Sequence, residues 1–280
     1  MLKISAVINT RNEELNIEYC LKSVAWCDEI IVVDMESEDR TVEIVKKYTD
    51  KVYHHKKVLA FDVARKFAVE KATGDWILLV DADEMVPLSL ANTLRNIAIA
   101  NSADIISMPF KTYMMGEWIK HTGWWPEYHS RFFKPGSMIF SGAVHAFTAE
   151  SPGSRKIQLP AKETNAIVHF NYRGSDHFIE KLNRYTSIEA LQMMEDGRRF
   201  SLFKMLAAGL RGFQVRYFTQ MGFKDGYRGF FLSFMMGFYR ALTYIKLWEA
   251  WVYKENPIDK TYVRIKKDIL NGYKQDNSGE

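Results

Sequence analysis

The sequence predicts an α/β protein: a mostly parallel central sheet flanked by helices, followed by a helical C-terminal extension. Three observations point there. Short apolar runs at residues 4–8, 29–33 and 76–80 have the length and continuity of strands buried on both faces. Stretches with apolar residues at helical spacing separate them, an alternation that builds parallel sheets. From Ser175 onward the strand signals stop and only helical patterns remain.

Taken in order, residues 4–8 read as the first strand. Asn12 is then positioned to cap a helix whose inner face carries Ile17, Cys20, Leu21 and Val24. Residues 29–33 form the second strand, and Ser37 or Asp39 caps a helix that buries Val42, Ile44 and Val45. A short strand follows at 51–53. A helix over about 60–71 places Phe61, Ala64, Phe67 and Ala68 on one side, and Gly74 turns the chain into the strand ending at Asp81. A helix at 88–100 and a strand at 104–109 continue the pattern. Residues 111–149, rich in glycine and aromatics, read as strands and loops closing over a site. The remaining helices are expected near 176–195, 202–222, 226–253 and 259–270.

A chain of 280 residues can bury a substantial core as one elaborated domain or as a domain with an appendage. Its two cysteines, Cys20 and Cys27, are too few for a disulfide scaffold and lack metal-ligand spacing. Met1-Leu2-Lys3 runs directly into the first strand, which leaves no room for a signal-peptide core; a reduced, cytoplasmic setting is expected. No uninterrupted apolar stretch reaches the ~18 residues of a spanning helix. The net charge of +4 is uneven: residues 197–280 hold 15 Lys/Arg against 7 Asp/Glu, and the rest of the chain is net acidic.

Chemistry concentrates where strands end. Asp81-Ala82-Asp83 closes an apolar run, and in an extended segment residues i and i+2 point to the same side. Paired carboxylates of this kind suit Mg²⁺ or Mn²⁺, ions that usually arrive with a phosphorylated substrate. Two other strand ends carry Thr10-Arg11-Asn12-Glu13 and Asp34. Ligands of open α/β sheets bind beyond the carboxyl ends of the strands, so one pocket is expected to collect all three clusters. Each also has a plain reading: a helix cap at residues 10–13, a turn acid at Asp34, solvated turn acids at Asp81 and Asp83.

Thr10-Arg11-Asn12-Glu13-Glu14, Val33-Asp34 followed by Ser37-Glu38-Asp39-Arg40-Thr41, Ala64-Arg65, and Gly74-Asp75-Trp76 leading into Asp81-Ala82-Asp83-Glu84 together resemble a family 2 glycosyltransferase of the GT-A fold. The likeness covers residues 1 to about 110. It implies a nucleotide-diphospho-sugar transferase with an inverting, metal-dependent reaction and a UDP-sugar donor. It also implies donor contacts at Thr10, Arg11, Glu13, Asp34, Arg65, Asp81 and Ala82, and metal contact at Asp83 and Asp81. Residues 118–133, His145, His169-Phe170-Asn171-Tyr172-Arg173 and residues 181–185 are similar to the lipopolysaccharide-core β-glucosyltransferase subgroup. Ala146, after His145, departs from the acid expected there.

The mechanism implied is a single displacement in which a carboxylate deprotonates the acceptor hydroxyl. Glu127, following Trp124-Trp125-Pro126, is the candidate base; its alternative is an ion pair with Arg131. His145 and His169 are candidate further metal ligands or phosphate contacts, or else structural histidines. Trp124 and Trp125 are candidates to stack on acceptor sugar rings, or to pack in the core.

This reading divides the chain into a catalytic domain at 1–174, with a nucleotide-sugar half (1–110) and an acceptor half (111–174), and a helical region at 175–280. The stripe Phe230, Phe231, Phe234, Met235, Phe238, Leu242 and Ile245 of the helical region is expected to contact an anionic membrane, to form a homo-oligomer, or to pack on the catalytic domain. The acceptor would be a glycan or lipid-linked glycan, met at the inner face of the cytoplasmic membrane. Two other classes are weighed. A sugar nucleotidyltransferase usually needs a glycine-rich loop after the first strand, which residues 10–13 lack. A non-enzymatic membrane or nucleic-acid binder working through the basic tail would leave the three strand-end clusters without a role, and no nucleic acid is expected.

Overall fold

β1 (Ile4–Thr10) is buried along its whole length and is an interior strand of the sheet. The computed structural model describes residues 1–58, 61–140, 149–254 and 257–276. After β1 come α1 (Ile17–Ser23), β2 (Glu29–Asp34), α2 (Thr41–Val45), β3 (Val52–His54), α3 (Phe61–Val69) and β4 (Trp76–Asp81). The second half of the sheet adds β5 (Glu84–Met85), α4 (Leu88–Ala100), β6 (Ile105–Met114), β7 (Glu117–Trp118) and β8 (Glu127–Phe133). The chain continues through β9 (Met138–Ile139) and β10 (Ala149–Glu150), which pair as a separate two-stranded sheet, and returns to the main sheet with β11 (Lys156–Gln158) and β12 (Ile167–Tyr172).

The strand order is β3-β2-β1-β4-β8-β6-β12-β5, with β7 and β11 also pairing with β6. β3, β2, β1 and β4 are parallel. β8 runs antiparallel between β4 and β6, so the sheet is mixed. The chain leaves β1 in one direction for β2 and β3 and returns on its other side as β4. That reversal opens a crevice at the carboxyl ends of β1, β2 and β4, the usual ligand position in such sheets.

Apolar alternation explains why the strands read as continuous runs. Ala6, Ile8, Leu78 and Val80 face one layer with Ile17, Cys20 and Leu21 of α1 and Leu90 and Leu94 of α4. Val7, Ile31, Val33, Ile77 and Leu79 face the other with Ala68 of α3. Both faces are covered, so neither set of side chains can be polar. Trp76 stacks on Phe132 at 4.6 Å between ring centres, which fixes β8 against β4.

Several local expectations shift. Asn12 does not cap α1: it sits in the left-handed region (φ 54°), and α1 begins at Ile17 after Asn16. Its side chain instead accepts from the Glu38 N–H at 2.8 Å, tying the loops after β1 and β2 together. Asp39 accepts from the Thr41 N–H at 2.9 Å at the start of α2, whereas the Ser37 hydroxyl takes the Asn12 N–H. β4 stops at Asp81, and Asp83 occupies the turn that follows, so the two acids are not brought together by strand alternation.

The C-terminal half adds α5 (Ser175–Glu195), α6 (Leu202–Gln214), α7 (Gly226–Val252) and α8 (Ile258–Asp276). The helix expected over 202–222 ends early. A π-helical turn at Val215–Thr219 and a 3-10 turn at Gly222–Asp225 replace its second half, with Met221 left-handed between them (φ 54°). Gly229 lies so close to the Gly222 carbonyl that a Cβ there would sit 1.8 Å from the oxygen, so no other residue fits.

By its internal contacts the chain forms two compact units, Met1–Glu180 with Arg216–Leu232, and Lys181–Val215 with Ser233–Glu280. In the second unit Ala190 and Met193 of α5 pack on Leu247 of α7. Lys246 donates to Asn183 Oδ1 at 2.6 Å and Ser187 Oγ at 2.8 Å. Among the described residues no helix is long and apolar enough to cross a membrane.

Candidate active site

The strand register aligns the site. Thr10 pairs with Asp34 and Asn9 pairs with Asp81, so three strands present polar groups at one level. Asn9, Thr10 and Asp34 are buried at 2%, 1% and 2% exposure. Among the described residues the Asn9 amide, Thr10 Oγ1 and Asp34 Oδ1 nevertheless meet no hydrogen-bond partner. Buried polar atoms without partners are costly and rare in native proteins, so at a crevice these atoms are candidates to meet water or a ligand. The other Asp34 oxygen accepts from the Ser37 N–H at 3.1 Å and lies 3.6 Å from His54 Nδ1.

The loop after β1 is held in place by its neighbour. Glu13 N–H donates to Thr41 Oγ1 at 2.8 Å, and the Glu13 carboxylate accepts from Asn16 Nδ2 at 2.7 Å. Arg11 Nε is buried and meets no partner among the described residues.

Asp81 engages two arginines. Arg65 of α3 donates to both of its oxygens, at 3.0 and 2.7 Å, and Arg131 of β8 donates to Oδ2 at 2.7 Å. Burial alone would push the Asp81 carboxyl up. The Arg131 and Arg65 charges and their hydrogen bonds outweigh it and hold the carboxyl well below the usual range. Arg131 also reaches Glu84 at 3.1 Å, and Glu84 accepts from the Asp81 N–H at 2.9 Å. Burial, opposed by Arg131 and assisted by the Asp81 charge, raises the Glu84 carboxyl.

Asp83 has a different neighbour. Its Oδ2 lies 3.5 Å from His169 Nε2, and its carbonyl accepts from the Phe170 N–H at 2.9 Å. Oxygen and imidazole donors this close suit a divalent cation such as Mn²⁺. Among the described residues no three His, Cys, Asp or Glu side chains form a metal-holding group. His145 lies outside the described residues. Ala82 and Asp83 line a cavity of about 270 Å³ with Leu15, Tyr19, Met85 and Phe170.

Phe110 of β6 links the two sides of the site. His169 meets its ring edge-on at 6.1 Å, and His129 does so at 4.7 Å. His129 Nε2 lies 3.5 Å from Glu127 Oε1. Glu127 therefore pairs with His129, and Arg131 is committed to Asp81 and Glu84. Burial pushes the Glu127 carboxyl up, but the His129 hydrogen bond and the charges of His129, His169 and Arg216 outweigh it and lower it.

Trp124 is 8% exposed, with the Arg216 guanidinium 4.6 Å over its ring. Trp125 is half-buried against Trp118, their rings perpendicular at 5.3 Å. Of the two, Trp125 offers more surface to an acceptor. Asp225 fixes the loop leading to both: it accepts from the His121 N–H at 2.9 Å, lies 2.9 Å from His121 Nδ1, and accepts from Thr122 Oγ1 at 2.9 Å.

Sequence reasoning gave Asn9, Phe110 and Asp225 no role in the site, took Glu84 only as part of the strand-end acidic cluster, and offered Arg131 only as an ion-pair partner of Glu127. A signal for Arg131 exists: Glu127, His129 and Arg131 alternate along β8 and share a face. Asp225 left no local signal, since its partners lie about a hundred positions earlier.

A crevice at the switch point of the sheet, lined by acids and arginines, is the ligand position of an α/β enzyme. The chain belongs to glycosyl transferase family 2, whose model matches residues 5–157, and glycosyl transfer is its activity. It is 29% identical over 285 residues to an uncharacterized glycosyltransferase of Rickettsia typhi, covering 96% of this chain and 95% of that protein. It is 25% identical over 267 residues to the lipopolysaccharide core biosynthesis glycosyltransferase LpsC of Rhizobium meliloti, covering 91% and 96%. The crystal structure of S. aureus TarS 1-349 superposes with a TM-score of 0.43 at 14% identity, covering 91% of this chain and 92% of that one.

Proposed function

We propose that the protein transfers a hexose, glucose in the first instance, from a uridine diphosphate sugar to a hydroxyl of a glycan or lipid-linked glycan, with inversion at the anomeric carbon. The observation that carries this reading is the set of buried, unpartnered atoms of Asn9, Thr10 and Asp34 beside the Asp83–His169 pair. Asp34 Oδ1 accepts the uracil N–H, and Thr10, Arg11 and Glu13 bound the nucleoside. Asp83 and His169 would hold Mn²⁺ or Mg²⁺, and Ala82 gives the donor a close approach. The bound metal supplies Lewis-acid stabilisation of the leaving diphosphate. Asp81 keeps Arg65 and Arg131 aimed at the crevice, where Arg65 meets the diphosphate.

Glu127 removes the acceptor proton as the acceptor oxygen bonds to the anomeric carbon. The bond from that carbon to the diphosphate oxygen breaks, and its electron pair leaves with the nucleoside diphosphate. The lowered Glu127 carboxyl is ionised, as a base must be, throughout the neutral range. Trp125 and Trp124 shape the acceptor approach. Residues 1–174 supply the groups that act on donor and acceptor, steadied by Arg216 and Asp225, and the other helices of residues 175–280 serve membrane contact or self-association at the inner face of the cytoplasmic membrane. Support from the relatives lies in the lipopolysaccharide-core assignment of LpsC.

The test is release of UDP from UDP-glucose with Mn²⁺ and an extracted lipopolysaccharide-core acceptor. Acceptor-dependent UDP release that is lost in Asp83→Ala is expected. An Asp83→Ala protein with full turnover would refute the metal assignment, and turnover confined to another nucleotide sugar would refute the donor.

A further inference from the structure

α6 is packed the reverse of a soluble helix. Its small residues face inward: a Cβ on Gly212 would stand 3.2 Å from the Gly237 Cα of α7, and one on Gly209 would stand 3.4 Å from the Ala241 Cβ. Four large apolar residues face outward, Leu202, Phe203, Leu206 and Leu210 being exposed at 59%, 80%, 54% and 67%, while Met205 and Phe213 are half-buried. Small residues between helices with large ones outside is the arrangement of helices that meet lipid. On an ordinary surface helix the apolar stripe faces the core.

The leucines recur every fourth residue, so they form one continuous stripe roughly 12 Å long. No polar side chain interrupts it. Lys204 and Arg211, both exposed, fall together on the flank beyond Phe203. Residues 197–215 contain four cations, Arg198, Arg199, Lys204 and Arg211, and no Asp or Glu. An apolar stripe with a cationic border matches an anionic bilayer surface. It does not match a second copy of itself, which would bring like charges together. Thirteen residues make a helix of about 20 Å, too short for the ~30 Å hydrocarbon core, so α6 would lie in the plane of the interface.

We infer that α6 is an in-plane anchor that docks on anionic phospholipid through Leu202, Phe203, Leu206 and Leu210, with Lys204 and Arg211 at the headgroups. The sequence pattern placed the membrane stripe in α7. Of that stripe Met235 is buried while Phe230, Phe234, Phe238 and Ile245 stay exposed, and Gly237 and Ala241 of α7 give α6 its packing surface. The inference deepens the lipid-linked acceptor of the proposed reaction. Flotation requires neither donor nor acceptor, so failure of one reading leaves the other to be judged by UDP release.

The experiment floats the full chain with vesicles of phosphatidylcholine alone and of phosphatidylcholine mixed with phosphatidylglycerol, beside size-exclusion chromatography without lipid. The expected result is binding to the mixed vesicles that weakens with salt. It should fall by at least roughly tenfold in Leu206→Ser/Leu210→Ser and fall again in Lys204→Glu/Arg211→Glu. Both variants alter exposed positions, and thermal melts matching the wild type confirm that they fold. Absence of vesicle binding would overturn the inference, as would binding unchanged in both variants. A lipid-free dimer that Leu206→Ser/Leu210→Ser dissociates, with no vesicle binding, would assign the stripe to a second copy instead.

Discussion

β2 begins and ends in a buried acid, and the two are treated oppositely. Glu29, its first residue, is 5% exposed and accepts from Ser5 Oγ, Lys51 Nζ, the Thr73 N–H at 2.9 Å and Thr73 Oγ1 at 3.0 Å. Asp34, its last residue, is 2% exposed and leaves one oxygen bare. Gly74 belongs to the amino-end network: a Cβ there would stand 2.7 Å from Ser5 Oγ, and its N–H donates to that oxygen at 2.9 Å. The lesson is that burial alone does not separate a structural acid from a functional one. The count of satisfied lone pairs does, because a folded protein tolerates an unmet buried oxygen chiefly where a ligand will meet it.

If that division holds, acids at the carboxyl end govern turnover and acids at the amino end govern stability. The largest effect is expected at Glu127. Glu127→Gln should lower turnover by about 10³-fold, roughly 4 kcal/mol in the barrier, with the melting temperature unchanged. The acid limb of the wild-type pH–rate profile should fall below the ordinary glutamate range, because His129, His169 and Arg216 lower that carboxyl against the opposing effect of burial. Steady-state kinetics across pH with saturating donor measures both.

Glu29 comes next. Burial pushes its carboxyl up, but hydrogen bonds from Lys51, Ser5 and Thr73 outweigh it and bring it from 4.5 down to about 2. Depression by that much is worth about 3 kcal/mol of folding stability. A carboxyl depressed in the folded state stabilises fully above its unfolded value of 4.5, and the contribution is lost as pH falls towards 2. Denaturant unfolding should therefore show Glu29→Gln destabilised at pH 7, with the gap to wild type closing as the pH is lowered. UDP affinity of the folded variant should be unchanged.

Asp34→Asn is the smallest and most discriminating change. Stability should move by less than about 1 kcal/mol, since Oδ1 has no donor to lose. UDP affinity should drop about tenfold, or 1.4 kcal/mol, when the amide presents a donor to the uracil N–H. A stability loss as large as that of Glu29→Gln would erase the distinction between the two ends.

How much of this the sequence revealed follows from the range of the interactions. β1, β2 and β4 are legible because strands covered on both faces must be apolar throughout. Asp34, Asp81 and Asp83 are legible because a carboxylate at the end of such a run leaves the apolar layers where the crevice begins. The partners of Asp81 are not legible: Arg65 lies 16 positions before it and Arg131 lies 50 after, and they meet only because β8 inserts antiparallel beside β4. Glu127 reads equally well as a partner of Arg131 until the register places Phe110 opposite it, with His129 close by. The outward stripe of α6 was invisible for a related reason. Apolar periodicity shows that a face exists but not which way it turns, and only the glycine contacts with Gly237 and Ala241 settle that.

Calorimetric titration of UDP into the full chain with Mn²⁺ present tests the central claim most directly, that the unpartnered strand ends beside Asp83 and His169 form a nucleotide site. The account predicts binding that weakens when Mn²⁺ is chelated, weakens in Asp34→Asn, and loses its metal dependence in Asp83→Ala. Absence of UDP binding, or an affinity identical in all three proteins with and without Mn²⁺, would contradict it.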